Sequence, residues 1–237
     1  MLDAVGVGEG DRLLDVASGP GYVAAAAAAR GATVTGVDFS PAMVAKARSL
    51  HRGPALSFVV GDAHHLPAPD CSFDAVAMGF GMLHLGRPEA AIAEALRVLR
   101  PGGRFAFTVW APPDRSVGFR LVLDAVERHG EPVRLPHGPD FFHYSRPEAA
   151  EAALTAAGFT AVRVSELALV WRPPGPEAVF PAFVEGTART GGLLRRQPDA
   201  ARRAIEREVA AAARRFVTAA GTVEIPMPAV LAVAARP

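Results

Sequence analysis

Lysine is almost missing from this chain: Lys46 stands alone against 24 arginines. No Gly-Lys-Ser/Thr triplet exists, so a Walker-type phosphate loop is excluded. A Schiff-base lysine is confined to Lys46, in a surface-like helix. Cysteine occurs once, as Cys71, so no intrachain disulfide forms and a reducing, cytoplasmic compartment is expected. Apolar runs are short. Val23 to Ala29 falls far below the roughly 20 residues a membrane helix needs, so no membrane span is expected. Charge of either sign is balanced, with a net of +1, and no global field draws the chain to nucleic acid or a membrane surface. The opening residues "MLDAVGVGEGDR" lack a basic segment followed by an apolar run, so no signal peptide is expected.

What is present is a chain of 237 residues, half of them hydrophobic, enough for one domain with a sizeable core. Apolar runs ending in acids or glycines predict strands at Arg12–Ala17, Thr33–Val37, Leu56–Val60, Phe73–Met78 and Arg104–Trp110. Between them lie predicted helices at Pro20–Arg30, from Pro41 to about Leu50 behind a Ser40 cap, and at Arg87–Leu99. This alternation predicts an α/β fold: a Rossmann-like, seven-stranded, mostly parallel sheet with helices on both faces. The second half breaks the rhythm. A helix at Val117–His129 and the irregular "GEPVRLPHGPDFFHYS" form one insertion, about 112–145. "RPPGP" opens another, about 174–218, with helices expected at Glu177–Ala188 and Asp199–Thr218. Between the insertions a helix at Pro147–Ala157 and a strand at Ala161–Trp171 resume the alternation, and "TVEIPMPAVLAVAARP" closes with a last strand. The expectation is one domain, 1–237, whose two helical insertions act as a lid.

The informative stretch is "LLDVASGPGYVAAAAAARGATVTGVDFS". Gly19-Pro20-Gly21-Tyr22-Val23-Ala24 fits the dinucleotide pattern G-x-G-x-x-G/A, with Asp38 at about the ribose-binding distance. That alone leaves an NAD(P)-dependent oxidoreductase open. Asp15 argues otherwise. A carboxylate four residues before Gly19 repels a pyrophosphate but suits the ammonium end of S-adenosylmethionine (SAM). The third strand also ends near an acid, Asp62 in "VVGDAHHLP", and the fourth leads into the apolar "GFGMLHL".

"LLDVASGPG", "VTGVDFS", "VVGDAHHLPAPDCSFDAVAMGFGMLHL" and "ALRVLRPGGRFAFTVW" together resemble the successive motifs of class I SAM-dependent methyltransferases. The flavour is that of the small-molecule, ubiquinone/menaquinone-biosynthesis-like type. The resemblance runs from Leu13 to Trp110. It implies that Asp15 orients the methionine amino group, and that Gly19 and Gly21 let the backbone approach the cofactor. Ala17 stands where relatives often carry the loop's first glycine. Asp38 is implied to accept the ribose hydroxyls, Phe39 and Met43 to line the adenine, and Asp62, with the Ala63 N–H beside it, to hold the adenine amino group. Phe80 is implied to sit over the methionine portion. Relatives carry one or two helices before the first strand. Here about ten residues precede it, so either the chain starts late or the insertions supply the whole cover.

Each residue also has a plainer reading. Asp15 at a strand end suits a turn cap, and Met43 suits core packing as well as adenine contact. His64-His65 invite a metal, but adjacent histidines point apart and no ligand cluster surrounds them, so no metal is expected. His84, after the fourth strand, is the first candidate for a general base, with a packing role as the alternative. His143 and Tyr144 in "FFHYS" are the second candidates. Methyl transfer needs little acid–base help, because the sulfonium is already activated and placement supplies much of the rate.

The Asn/Asp-Pro-Pro-aromatic signature of base-amine methylation is missing, and Glu206 and Glu208 interrupt the arginine pairs, so no nucleic acid partner is expected. The aromatics of the insertions favour a small, largely apolar acceptor, methylated at O, C or N. A SAM-binding protein without methyl transfer, serving as a cyclase or regulatory subunit, is the remaining alternative. A homodimer is left open.

Overall fold

The structure, a computed structural model, describes residues 1–136 and 138–237. Seven strands form one sheet: β1 (Arg12–Val16), β2 (Thr33–Asp38), β3 (Leu56–Val60), β4 (Phe73–Gly79), β5 (Leu99–Trp110), β6 (Thr160–Leu167) and β9 (Ala229–Ala235). Their order is β3-β2-β1-β4-β5-β9-β6. The pairs β1–β2, β2–β3, β1–β4 and β4–β5 are all parallel. The chain therefore starts in the middle of the sheet and reverses its direction of travel between β3 and β4. In open α/β sheets such a switch point, outside the carboxyl ends of the strands, is where ligands bind. Successive residues of β1 from Leu13 to Val16 and of β5 from Phe105 to Val109 are all buried, as in strands covered on both faces. Leu13, Leu14, Phe105 and Phe107 lie at the centre of the core.

The connecting helices are α2 (Tyr22–Ala28), α3 (Pro41–Leu50), α4 (Pro88–Val98) and α6 (Pro147–Ala156). Three of them carry proline in the first turn, where its missing N–H costs nothing. Ser40 Oγ accepts from the Met43 N–H, as its capping position requires. A short α1 (Leu2–Val5), which the sequence did not suggest, ends on Gly6 in the left-handed region at φ 70°. Arg97 ties the long β3–β4 connection down. Its guanidinium pairs with Glu94 at 2.7 Å and Asp70 at 2.6 Å, and donates to the Ala68 and Leu66 carbonyls.

Expected as a single domain with two insertions, the chain divides into two compact units. The first is 1–109, 138–166 and 230–237; the second is 110–137 and 167–229. Residues 138–145, expected in the first insertion, thus fall in the first unit. His137 lies outside the described residues.

In the second unit, α5 (Val117–His129) and α9 (Asp199–Ala213) are joined by α7 (Val179–Gly186), α8 (Arg189–Arg195) and a two-stranded antiparallel pair. That pair is β7 (Val170–Trp171) with β8 (Ile225–Pro226). Phe119, Val122 and Ala125 on α5 and Ile205 and Val209 on α9 form the buried stripes at helical spacing.

Four expected elements break. The helix at Glu177–Ala188 starts with a 3-10 turn and ends at Gly186, because Thr187 is extended. The Thr187 Oγ1 donates to the Phe183 carbonyl at 2.7 Å and accepts from the Gly191 N–H at 2.8 Å, closing α7 and opening α8. The strand at Ala161–Trp171 divides after Leu167, where the Leu169 N–H turns back to the Leu167 carbonyl. The closing strand divides between Pro226 and Pro228, neither of which can donate to a ladder. The Asp199–Thr218 helix ends at Ala213 and passes into a 3-10 turn, Arg214–Phe216. No described helix is long and apolar enough to cross a membrane.

Candidate active site

All the sequence-derived candidates lie in the first unit, and most gather at the carboxyl ends of β1, β2, β3 and β4. The centre is the loop after β1. Ala17, Gly19 and Gly21 adopt positive φ of 54°, 51° and 83°. The alternation turns the chain sharply between strand and helix, held by Ser18 N–H to the Val37 carbonyl and Gly21 N–H to the Ser18 carbonyl. Gly21 cannot be replaced cheaply: a Cβ there would stand 2.7 Å from the Phe58 ring. Gly19 differs, because a Cβ there would meet nothing within 4 Å. The loop's outer side at Gly19 is open to a ligand. Ala17, in a conformation that favours glycine, abuts Gly81, whose added Cβ would lie 2.6 Å from its own.

Two carboxylates brace this loop. Asp15, 1% exposed, accepts from the Ala24 N–H in the first turn of α2 at 3.0 Å. The capping reading of Asp15 is thus realised. Burial, only partly offset by that N–H and reinforced by the charge of Asp38, pushes its pKa up to about 7. Asp38, 7% exposed, accepts from the Gly19 N–H at 2.8 Å through Oδ2 and from the Ser40 N–H at 2.9 Å through Oδ1. It is a staple between the glycine loop and the start of α3. Each oxygen keeps a second lone pair for a hydroxyl donor.

The flanking candidates are more open. Phe39 is 79% exposed and Met43 is also exposed, an apolar shelf on the loop and helix after β2. Asp62, exposed after β3, accepts the His64 backbone N–H at 2.9 Å and pairs with its ring Nδ1 at 2.7 Å, both through Oδ1. These contacts, the backbone N–H foremost, lower its pKa. Ala63 is buried beside it. His64 is thus a partner of Asp62. Among the described residues no group of three His, Cys, Asp or Glu side chains could hold a metal. Phe80 follows β4 at φ 56° and is half-buried. Its N–H reaches Thr108 of β5, at the carbonyl and at Oγ1.

The three candidates for proton transfer separate clearly. His84 ends a 3-10 turn, Met82–His84, and meets Phe141 edge-on at 5.9 Å. It is exposed, yet the protein around its ring withdraws enough water to hold its pKa below the ordinary histidine value. His143 has its Nδ1 2.7 Å from Arg146 Nη2, so that nitrogen is an acceptor already in use. Tyr144, 4% exposed, donates its hydroxyl to Glu89 at 2.8 Å and packs edge-on to Phe107. Burial and the Glu89 carboxylate raise its pKa. It is a core residue that joins its turn to α4. Sequence reasoning missed Glu89, Thr108 and Ala24. Each acts through a pairing across the fold, for which the local sequence carries no signal.

A parallel sheet with a glycine loop after β1 and an acid closing β2 defines a nucleoside-binding α/β fold. The comparisons narrow this. The profile of the family described as "Methyltransferase domain" matches residues 14–107. A demethylmenaquinone methyltransferase of Thermus thermophilus is 38% identical over 165 residues, covering 63% of this chain and 74% of that protein. One from Beutenbergia cavernae is 45% identical over 125 residues, 51% of each chain. Among solved structures, the YcgJ protein of Bacillus subtilis superposes with a TM-score of 0.62 at 22% identity, over 100% of this chain and 96% of that one. The chain belongs to the class I SAM-dependent methyltransferase family. It spans about half the length of the first curated relatives it matches.

Proposed function

We propose that the chain transfers the methyl group of SAM to a small, largely apolar acceptor of quinone type. The observation that carries this is Asp15: a buried carboxyl with a raised pKa near the end of β1, just before a loop that leaves open space at Gly19. An ammonium group bound over the loop returns Asp15 to its anion and is held by it. A pyrophosphate adds negative charge to a carboxyl already destabilised in that form, which disfavours the oxidoreductase reading. The residues fit the cofactor in kind. Asp38 has lone pairs for a ribose diol, Phe39 and Met43 offer an apolar shelf for adenine, and Asp62 Oδ2 is available for the adenine amino group. Phe80 flanks the loop from β4. The acceptor class rests on the demethylmenaquinone methyltransferases among the relatives.

SAM supplies an activated methyl group. This chain's residues bind it, orient it and receive the acceptor's proton. His84 is the proposed base. Partial desolvation lowers its pKa and so favours the neutral, proton-accepting form, and its exposure lets an acceptor hydroxyl reach it. Incubation with SAM and a reduced naphthoquinone should give a product one methyl group heavier, together with S-adenosylhomocysteine. SAM binding without turnover across an acceptor panel would instead favour the non-methylating reading.

A further inference from the structure

The second unit has an apolar cavity that the methyl-transfer site does not account for. Its volume is about 490 Å³, within the roughly 300–1,000 Å³ of small-molecule sites. It is walled by aromatic rings in a chain of edge-to-face contacts: Trp110 to Phe119 at 6.0 Å, Phe119 to Phe183 at 5.2 Å, and Phe183 to Trp171 at 6.0 Å. Met227 completes the wall with a polarisable thioether. Among the described residues no charged side chain lines it. Its one hydroxyl, Thr187 Oγ1, is already committed as donor and acceptor within its own helices. Leu169 and Val170 at the rim are exposed. A charged or strongly polar ligand finds no partner here, and its desolvation goes uncompensated. A flat aromatic ligand meets ring faces and edges on several sides.

We infer that the second unit is a binding module for a neutral, aromatic, largely apolar small molecule, seated between Trp110, Phe119, Trp171 and Phe183. The inference does not rest on methyl transfer, and its test uses no methyl donor. Trp110 and Trp171 are the chain's two tryptophans, and both line this cavity, so a probe seated here lies beside both donors, and the cavity variants below assign the signal to it. The full chain is titrated with N-phenyl-1-naphthylamine, a neutral aromatic probe, and energy transfer from tryptophan is read. Saturable transfer at micromolar probe, reversed by 2-methyl-1,4-naphthoquinone, is expected. Gly186→Phe should fill the cavity, since a Cβ at Gly186 meets nothing within 4 Å, and should weaken probe binding at least tenfold with an unchanged circular dichroism spectrum. Should that variant fail to fold, Leu169→Asp at the exposed rim is read in its place, with the same expected loss. Non-saturable transfer, wild-type affinity in the folded variant, or self-association that closes the cavity to the probe would overturn the inference.

Discussion

Asp15 couples stability to binding. Its folded pKa, about 7, lies above the ordinary carboxylate value of 3.8. Its neutral form is therefore favoured by folding, and that contribution is complete below pH 4 and lost as pH rises through 7. Asp15→Asn keeps an oxygen for the Ala24 N–H and removes the penalty. The ligand-free variant should be more stable than wild type at pH 8, by at most about 4 kcal/mol, with the difference vanishing near pH 4. The same variant should bind SAM more weakly, because the charge opposite the ammonium is gone. Thermal melts at both pH values, together with SAM titrations, check this pair of opposite effects. His84 and Tyr144 make a second contrast. His84→Ala should leave SAM affinity within a few-fold and lower turnover by roughly 10²–10⁴ if it is the base. Its lowered pKa predicts that the acid limb of the wild-type rate profile lies below the ordinary histidine range, where protonation removes the base. Tyr144→Phe should leave turnover within a few-fold and cost about 1 kcal/mol of stability from the lost bond to Glu89. Stopped-assay rates against pH and urea midpoints distinguish these outcomes.

The glycine loop and the elements it joins show what sequence does and does not reveal. The glycines, the Ser40 cap and the acids at strand ends are local signals. β1 to β4 stand close to where the apolar runs place them and α5 matches to the residue, whereas β5 begins at Leu99 instead of Arg104 and takes in the expected "RPGG" break. Positive φ at Ala17 and Phe80 is not local: it is imposed by Gly81 packing on Ala17 and by Thr108 holding the Phe80 N–H. The burial of Asp38 was equally hidden, because it depends on two amides meeting one carboxylate from different elements. Asp38→Ala should cost roughly 1–3 kcal/mol by leaving the Gly19 and Ser40 amides unpaired, besides weakening SAM. Gly21→Ala should destabilise by a similar amount or more, through its left-handed backbone and the Phe58 ring. Urea denaturation measures both. The α7–α8 break was unreadable because a threonine ends one helix and starts the next only when its hydroxyl finds both backbones.

At the scale of the whole molecule, the chain combines a conventional sheet with a second unit that the α/β rhythm did not foretell. The motifs run from Leu13 to Trp110, and the family profile covers nearly the same stretch. Beyond it the sequence signals single elements such as α5 but not how they group, so the helical insertions were legible and the division into two units was not. Residues 138–145 belong to the first unit because Tyr144 is anchored to Glu89 and Phe107, contacts invisible in the string "FFHYS". The ligand preference of the glycine loop is the claim on which the rest depends. Isothermal titration of the wild-type chain with SAM and, separately, with NADH tests it most directly. The account predicts measurable SAM binding, NADH binding at least a hundredfold weaker, and a loss of SAM affinity in Asp15→Asn. NADH binding tighter than SAM, improved by Asp15→Asn, would contradict it.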